Sequence, residues 1–196
     1  MEFLSSIENS GFATWVRESP SLLAYTLFLA LHTIGLAFLV GFTIAIALRL
    51  FGVGSRLPLA PFASFFPFMY VGFLVNLTTG LVLFSTAPIN FLGNPVMYVK
   101  LGAVFASVFC LLKLKRLVFS DLAKADTRPV PANAKALAGA SLLLWSVALL
   151  MGRLTAYSRP VVIASVIAFI VFAVLFLAVV FVTRLGSRSE MSGQRA

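Results

Sequence analysis

Cysteine, histidine and acidic residues are scarce in this sequence. A single cysteine, Cys110, excludes an intrachain disulfide and any zinc site built from several cysteines. A single histidine, His32, excludes a haem held by two histidines of this chain. No acidic residue lies inside an apolar segment, so a carboxylate relay for protons is absent. The six acids are Glu2, Glu8, Glu18, Asp121, Asp126 and Glu190.

Other absences exclude further classes of function. The net charge is +9, but the basic residues stand at the ends of apolar runs rather than in one stripe, which argues against nucleic-acid binding. The sequence contains no phosphate-binding glycine loop and no nucleophile elbow. It also shows no activated nucleophile or acid–base pair. An independent enzyme is therefore the least favoured interpretation.

Apolar residues, by contrast, are in excess. They make up 61% of the 196 positions, and charged residues only 11%, whereas soluble domains average roughly 45–50% and about 25%. One globule of 196 residues cannot bury so much apolar surface, and a lipid bilayer supplies the missing apolar solvent. We expect an all-α membrane protein whose first partner is the bilayer.

Five segments are long enough to cross a bilayer, which takes about 20 mostly apolar residues. They cover about 20–50, 58–86, 95–119, 131–157 and 160–185. Together they predict a single transmembrane domain over 20–185. Residues 1–19 are too polar to cross and are expected to form a short interfacial helix. Residues 186–196 are expected to be a flexible cytoplasmic tail.

Serine, asparagine and proline mark where these helices begin. Ser19 is placed to cap the first span, with Pro20 at its first helical position. Asn94, followed by a proline, offers the same start to the third. Pro61 and Pro67 predict an irregular or kinked start for the second.

The distribution of basic residues predicts the orientation of the spans. With the N-terminus outside, 11 of the 15 lysines and arginines fall on the cytoplasmic side and 4 on the outer side. The positive-inside rule therefore favours N-out, C-in. Four amphipathic rings fall near the outer interface in that orientation: Trp15, Tyr25, Tyr98 and Tyr157.

Small residues at helical spacing predict which spans pack together, because close packing rather than the hydrophobic effect drives helix association in lipid. The predicted faces are Gly35, Gly41 and Ala45 on the first span; Gly72, Asn76 and Gly80 on the second; Gly102, Ala106 and Cys110 on the third; and Ala138, Ser141, Trp145, Ala148 and Gly152 on the fourth. The fifth span is apolar on every side. We therefore expect spans one to four to form a bundle and the fifth to be peripheral.

Six side chains are predicted to form an outward-facing polar pocket in that bundle. Helical rise places His32, Asn76 and Trp145 at about 18, 15 and 19 Å below the outer helix ends. Ionisable residues at such depth usually face a bundle interior and are candidates for function. We expect a neutral imidazole at His32, with one nitrogen as donor and the other as acceptor or ligand. The predicted ligand-binding residues are His32, Asn76, Lys100, Trp145, Arg153 and Tyr157.

Structural explanations of the same residues stay open. His32 and Asn76 can simply form an interhelical hydrogen bond, worth on average about 0.6 kcal/mol in a membrane. Lys100 and Arg153 can extend toward the lipid headgroups. Trp145 can be a packing residue of the core.

Four stretches carry a resemblance to a known family. They are LHTIGLAFLVGFTIAIALRLFG, MYVGFLVNLTTGLVLFSTA, NPVMYVKLGAVFASV and SLLLWSVALLMGRLTAY. Together they resemble an uncharacterised bacterial inner-membrane family with an early LHxxG helix, a later TG, a Y-x-K helix start and a W…GR helix. The chain is more distantly similar to copper-resistance D and cytochrome b561-like bundles. The recurring positions it matches are His32, Gly35, Thr79, Gly80, Lys100, Trp145, Gly152 and Arg153.

The resemblance and the polar pocket together give a functional hypothesis. We expect a multi-pass protein of the bacterial inner membrane, acting as an accessory subunit that binds a small hydrophobic or redox ligand. A quinone or a partner's b-haem would suit the pocket, and a membrane complex or periplasmic redox protein would be the partner. The alternatives are copper handling, with His32 as the one candidate ligand, small-solute transport, or a purely structural membrane subunit.

Overall fold

In the computed structural model of the protein, the described residues are 2–121, 125–126, 129–155, 157, 163–164, 166–168, 170–171 and 174. Every regular element within them is helical. These elements are α1 (Glu2–Glu8), α2 (Gly11–Glu18), α3 (Tyr25–Leu50), a 3-10 helix at Ala60–Ser64, α4 (Phe65–Ser85), α5 (Pro88–Leu92), α6 (Pro95–Val118) and α7 (Ala132–Leu154). The predicted all-helical fold is thus confirmed.

Four helices in the described part of the chain are long and apolar enough to cross a membrane. They are Tyr25–Leu50, Ala60–Ser85, Pro95–Val118 and Ala132–Leu154, and they correspond to the first four predicted spans. Much of their surface is apolar and exposed, as at Leu143, Phe105 and Leu81, which suits contact with lipid tails. The chain is therefore a multi-pass membrane protein. Most of the predicted fifth span, and all of the tail 186–196, lie outside the described residues.

The start of α3 differs from the prediction. Ser19 is the C-cap of α2 rather than the N-cap of α3, and its hydroxyl accepts a hydrogen bond from the backbone N–H of Ser21 (3.2 Å). The hydroxyl of Ser21 in turn accepts from the N–H of Leu23 (3.2 Å). Serine side chains that bond nearby backbone groups stabilise turns in competition with helix. As a result α3 begins at Tyr25, five residues after Pro20.

The predicted starts of the second and third spans are confirmed. Asn94 caps α6, because its side-chain oxygen accepts from the backbone N–H of Val96 (3.0 Å). The second span begins irregularly, with the 3-10 helix preceding α4. The carboxylate of Asp126 accepts hydrogen bonds from the backbone N–H groups of Leu59 and Ala60 at this start. An acidic side chain thus accepts hydrogen bonds from backbone N–H groups that have no partner within the first helical turn.

The N-terminal segment folds into two short helices, where the sequence predicts one. Arg17 on α2 holds them against the bundle: its guanidinium donates to the backbone carbonyls of Glu8 (3.2 Å) and Thr86 (2.9 Å). The two carbonyls lie at the C-terminal ends of α1 and α4, where a positive charge is favourable. Apolar side chains on this segment stay exposed, including Phe3 and Phe12.

The four spans pack as two antiparallel pairs, and one further helix–helix contact joins the two pairs. Helix α3 pairs with α4, α6 pairs with α7, and α3 also packs against α7. We call the end of the bundle at which α3 begins the Tyr25 end, and the opposite end the Leu50 end. At the Leu50 end, Lys115 donates a hydrogen bond to the Tyr70 hydroxyl (3.1 Å), and Phe66 packs against Phe119 with ring centroids 5.4 Å apart. These contacts join α4 to α6.

Two of the predicted packing faces are correct and two are displaced. On α7 the buried residues include Ala138, Ser141, Trp145 and Ala148, as predicted. On α6 the buried face is instead Ala103, Ser107, Leu111 and Leu114. A Cβ placed on Gly102 or Gly41 would meet nothing within 4 Å. The glycine pattern failed on α6 and in the second half of α3, where Gly102 and Gly41 are exposed and other residues of each helix form the buried face.

The described residues beyond Thr155 belong to a second unit. Its described residues at 163–164, 166–168, 170–171 and 174 are helical. Among them Ile163, Ile167 and Val174 are exposed.

Candidate functional site

His32 and Asn76 join α3 to α4 by hydrogen bonds in both directions. The ring Nδ1 of His32 lies 2.9 Å from the backbone carbonyl oxygen of Asn76, and the side-chain amide of Asn76 donates to the backbone carbonyl of His32 (2.8 Å). The predicted meeting of these two residues is confirmed. Each side chain reaches across to the partner's backbone, so the pair fixes the register of the two helices.

The first of these bonds also determines the tautomer of the ring. A backbone carbonyl is only an acceptor, so Nδ1 of His32 must carry the proton. In the neutral ring, Nε2 then keeps its lone pair. No described residue donates a hydrogen bond to this nitrogen. His32 therefore presents an acceptor, and a potential ligand atom, that the fold itself leaves unused.

Thr79 and Gly80 also contact the imidazole of His32 from α4. The hydroxyl of Thr79 lies 3.2 Å from Nδ1 of His32 and donates to the backbone carbonyl of Val75 (2.5 Å). A Cβ on Gly80 would lie 3.1 Å from Cε1 of the ring. This contact is tighter than ordinary packing, so the absence of a side chain at Gly80 makes room for the imidazole.

A close approach of backbones, one turn from His32, brings the two helices together. A Cβ on Gly35 would lie 2.7 Å from the carbonyl oxygen of Gly72, and a Cβ on Gly72 would lie 2.9 Å from the carbonyl oxygen of Gly35. Both positions are buried. Small residues of this kind allow transmembrane helices to pack at short distance. The contacts of His32 with α4 depend on that distance.

Lys100 lies on α6, in the other helix pair. Its side chain lies along α7, where a Cβ on Gly152 would lie 3.7 Å from Cε of the lysine. The ammonium group has no hydrogen-bond or ion-pair partner among the described residues. Lys100 therefore offers unused donors on α6, as His32 offers an unused acceptor on α3.

His32 lies nearer the start of its helix than the sequence predicts. His32 is seven residues past the start of α3 at Tyr25, which places it about 10 Å along the helix rather than about 18 Å. Lys100 is five residues past Pro95, or about 8 Å along α6. The difference from the prediction for His32 arises from the late start of α3.

Trp145 occupies a different environment. It is only 1% exposed and belongs to the apolar core, together with Leu39, Ile46 and Ala103. Its indole N–H is buried and has no hydrogen-bond partner among the described residues. The structure thus shows the packing role of Trp145, and its predicted ligand contact stays a prediction.

Arg153 and Tyr157 are exposed. Arg153 lies in the last turn of α7 and has no hydrogen bond or ion pair within the described part of the chain. Tyr157 belongs to the second unit and is 58% exposed. Their ligand-binding roles, and the pairing of Arg153 with Lys100 at the mouth of a pocket, stay predictions.

Sequence reasoning missed the polar contact between Ser107 and Ser141. Ser107 on α6 and Ser141 on α7 are fully buried, and their hydroxyl oxygens are 2.9 Å apart. The signal available in the sequence was a small polar residue four positions after Ala103, on the face that proved to be buried. At the Tyr25 end, the side chain of Asn94 links the same two helices by donating to the backbone carbonyl of Thr155 (3.1 Å).

A complete metal or haem site does not fit the described residues. They contain no group of three or more histidines, cysteines or acids that could hold a metal ion. Nε2 of His32 could supply one ligand, and a haem or copper ion would need its other protein ligands from elsewhere. One cavity, of about 220 Å³, has a lining that includes Leu59 and Pro131, and another, of about 420 Å³, is lined by residues of α3 that include Thr26 and Ile34; His32 lines neither of them.

Comparison with protein-family models, with curated proteins and with solved structures finds no match for this chain. The resemblance to a bacterial inner-membrane family therefore stays a prediction.

Proposed function

We propose that this multi-pass membrane protein is an accessory subunit that binds a small hydrophobic or redox ligand beside His32 and Lys100. The observation that carries the proposal is the anchored imidazole. Nδ1 of His32 donates to the backbone carbonyl of Asn76, which leaves Nε2 as an unused acceptor. Ionisable side chains inside membrane segments are costly and usually serve a function.

The surroundings of His32 support this role. Gly80 makes room for the ring, and Lys100 brings a cation that no described residue neutralises. A hydrophobic molecule with a polar head would find both groups about 10 Å or less along the helices from their starts, within reach of the headgroup layer. Quinones have this chemistry, and a haem carried by a partner protein could use Nε2 as one axial ligand.

The proposal includes the setting of the protein. The orientation is N-out and C-in in a bacterial inner membrane, and the Tyr25 end then faces the periplasm, where a membrane complex or redox protein would meet the ligand. Labelling of single cysteines placed at Ser10 and Ser120, in a C110A background, tests the orientation. We expect an impermeant maleimide added to whole spheroplasts to label position 10 and not position 120, and the reverse result would contradict it.

The experiment for ligand binding compares the wild type with the variant H32N. An asparagine amide can replace Nδ1 as donor to the carbonyl of Asn76, but it places no group at the position of Nε2. We expect H32N to fold normally and to lose the ligand. Both proteins are purified with mild detergent, and the ultraviolet–visible spectrum and the mass spectrum of an organic extract are recorded. Equal amounts of the same bound molecule in the two samples would contradict the proposal.

A purely structural role is the second candidate, because the His32–Asn76 hydrogen bonds also join α3 to α4. That role requires the donor at Nδ1 and not the acceptor at Nε2. It therefore predicts that H32N behaves as the wild type in every assay, including growth. Copper handling is less favoured, since His32 is the one candidate ligand. Stoichiometric copper in the purified protein by elemental analysis would revive it.

A further inference from the structure

Basic side chains are concentrated at the Leu50 end of the bundle. Those in the described part of the chain are Arg49, Arg56, Lys113, Lys115, Arg116 and Lys135. Two described acids lie at the same end: Asp126, which accepts from backbone N–H groups at the start of the second span, and Asp121, just after α6. Among the described residues, none of these cations forms an ion pair with an acid. The Leu50 end therefore carries an excess of positive charge.

Lys115 is held in place by aromatic side chains of α4. Its ammonium donates a hydrogen bond to the Tyr70 hydroxyl (3.1 Å). The same nitrogen lies 4.9 Å from the ring centroid of Tyr70 and 5.3 Å from that of Phe66, and Phe66 packs in turn against Phe119. A lysine side chain normally loses much conformational entropy when it binds a ligand. Because these contacts already restrict Lys115, it loses less.

The Lys115–Tyr70 pair presents unused donors at one place. The ammonium has three N–H groups, and one of them is used on Tyr70. The Tyr70 hydroxyl accepts that bond, and its own O–H has no acceptor among the described residues. The two donor atoms are 3.1 Å apart, so they can bond to two oxygens of a single phosphate group. Hydrogen bonds of this kind, between a cation and an anionic oxygen, are among the strong ones.

Exposed apolar side chains extend from this pair toward the middle of the bilayer. On α4, Leu74 and Leu77 follow Tyr70 by four and seven residues, on the same helix face, and they are 58% and 42% exposed. On α6, Leu112 precedes Lys115 by three residues and is 42% exposed. Lys115 is three residues before the end of α6, or about 5 Å along the helix. Its ammonium thus lies at headgroup depth, with apolar surface below it for acyl chains.

We infer that the Lys115–Tyr70 pair is the headgroup site of a bound anionic phospholipid. The phosphate accepts from the ammonium and from the Tyr70 O–H, and the acyl chains lie along Leu74, Leu77 and Leu112. A soluble phosphate compound would use the donors but not the apolar surface. A zwitterionic headgroup adds a cation, which the unpaired basic residues of the Leu50 end repel, so an anionic lipid is preferred. This site lies away from His32 and does not depend on the proposed function.

The test titrates the whole protein, in mild detergent, with phosphatidylglycerol or with phosphatidylcholine of identical acyl chains. Native mass spectrometry resolves the binding of the first lipid molecule. We expect the first phosphatidylglycerol to bind about tenfold more tightly than the first phosphatidylcholine, a ratio that one charge-assisted hydrogen bond can supply. Glycerol phosphate, which carries the anionic group without acyl chains, is added as a competitor. We expect it not to displace the lipid, even in large excess.

Three variants locate the binding. K115Q removes the cation that α4 holds in place, and we expect it to abolish the preference for phosphatidylglycerol. K113Q is the matched control: it removes the same charge from the same helix, but Lys113 lies over Phe109 of its own helix (5.0 Å). We expect it to weaken binding by about twofold or less, as for an ordinary surface charge. Y70F keeps the ring and loses the O–H, so we expect a loss of about threefold.

Several results would overturn the inference. Equal affinity of the wild type for the two lipids would do so, and so would equal losses in K115Q and K113Q, because the charge of the whole Leu50 end would then explain the binding. Displacement of the lipid by glycerol phosphate would indicate a site for soluble phosphate compounds instead. Elution profiles and melting temperatures check the fold of each variant. If K115Q does not fold, Y70F decides: unchanged binding in Y70F would then overturn the inference.

Discussion

Asn76 donates its side-chain amide to the backbone carbonyl of His32 (2.8 Å), while the ring of His32 lies 2.9 Å from the backbone carbonyl of Asn76. The two bonds are chemically independent, because each uses the side chain of one residue and the backbone of the other. Loss of either side chain therefore leaves the other bond able to form. This arrangement allows the packing role and the binding role of the pair to be tested separately.

The first prediction concerns Asn76. In N76L the donor to the His32 carbonyl is removed, while the ring of His32 keeps its backbone acceptor. We expect a loss of about 1 kcal/mol in stability, close to the range measured for hydrogen bonds between membrane helices. Thermal unfolding in detergent measures the change. T78V is the matched control, because the exposed Thr78 bonds only to its own helix, and it should be nearly silent. Equal effects of the two variants would contradict the prediction.

The second prediction concerns the approach of α3 to α4. In G35A the new methyl group would lie 2.7 Å from the Gly72 carbonyl oxygen, so the helices must separate. We expect a destabilisation of about 2 kcal/mol or more, typical of overpacking, and a weaker His32–Asn76 contact. G41A is the control on the same helix, since a Cβ there meets nothing within 4 Å. It should leave the melting temperature unchanged or raise it slightly. A silent G35A would show that the helices pack elsewhere.

The third prediction concerns Ser107 and Ser141 between α6 and α7. Their hydroxyl oxygens are 2.9 Å apart and fully buried. A double-mutant cycle with S107A and S141A should give a coupling free energy of about 0.6 kcal/mol. S146A serves as the control, because the hydroxyl of Ser146 bonds to the carbonyl of Leu142 on its own helix. A coupling as small as that between S107A and S146A would mean that the two serines do not interact.

The fourth prediction concerns the buried indole of Trp145. Since its N–H has no partner among the described residues, W145F removes an unsatisfied donor, which offsets the free energy lost with the smaller ring. We expect W145F to stay within about 1 kcal/mol of the wild type, and W145A to lose about 3 kcal/mol or more. Thermal unfolding compares the two. A large loss in W145F would reveal a partner for the N–H, and loss of ligand with unchanged stability would support the predicted ligand contact.

Features set by local chemistry were predictable from the sequence. Long apolar runs identify the four spans because lipid requires every backbone group to be satisfied within its own helix. The Asn94 cap of α6 depends only on adjacent residues. The burial of Ser141 and Trp145 follows the helical period. The start of α3 was not predicted correctly because the hydroxyls of Ser19 and Ser21 bond to nearby backbone N–H groups in turns, and Ser19 does not cap the helix. The residue pattern alone does not show whether such a serine forms a turn or a helix cap.

The candidate site was decided by tertiary structure. Sequence reasoning brought His32 and Asn76 to one interface, but which ring nitrogen is used follows from the distance to a carbonyl on another helix. Likewise, the sequence gives no reason to distinguish Gly35 from Gly41, but only Gly35 lies close to the backbone of a neighbouring helix. The physical reason is that the apolar composition and length of a segment determine whether it enters the membrane. Which helix faces pack together depends instead on the side-chain shapes of both helices at once.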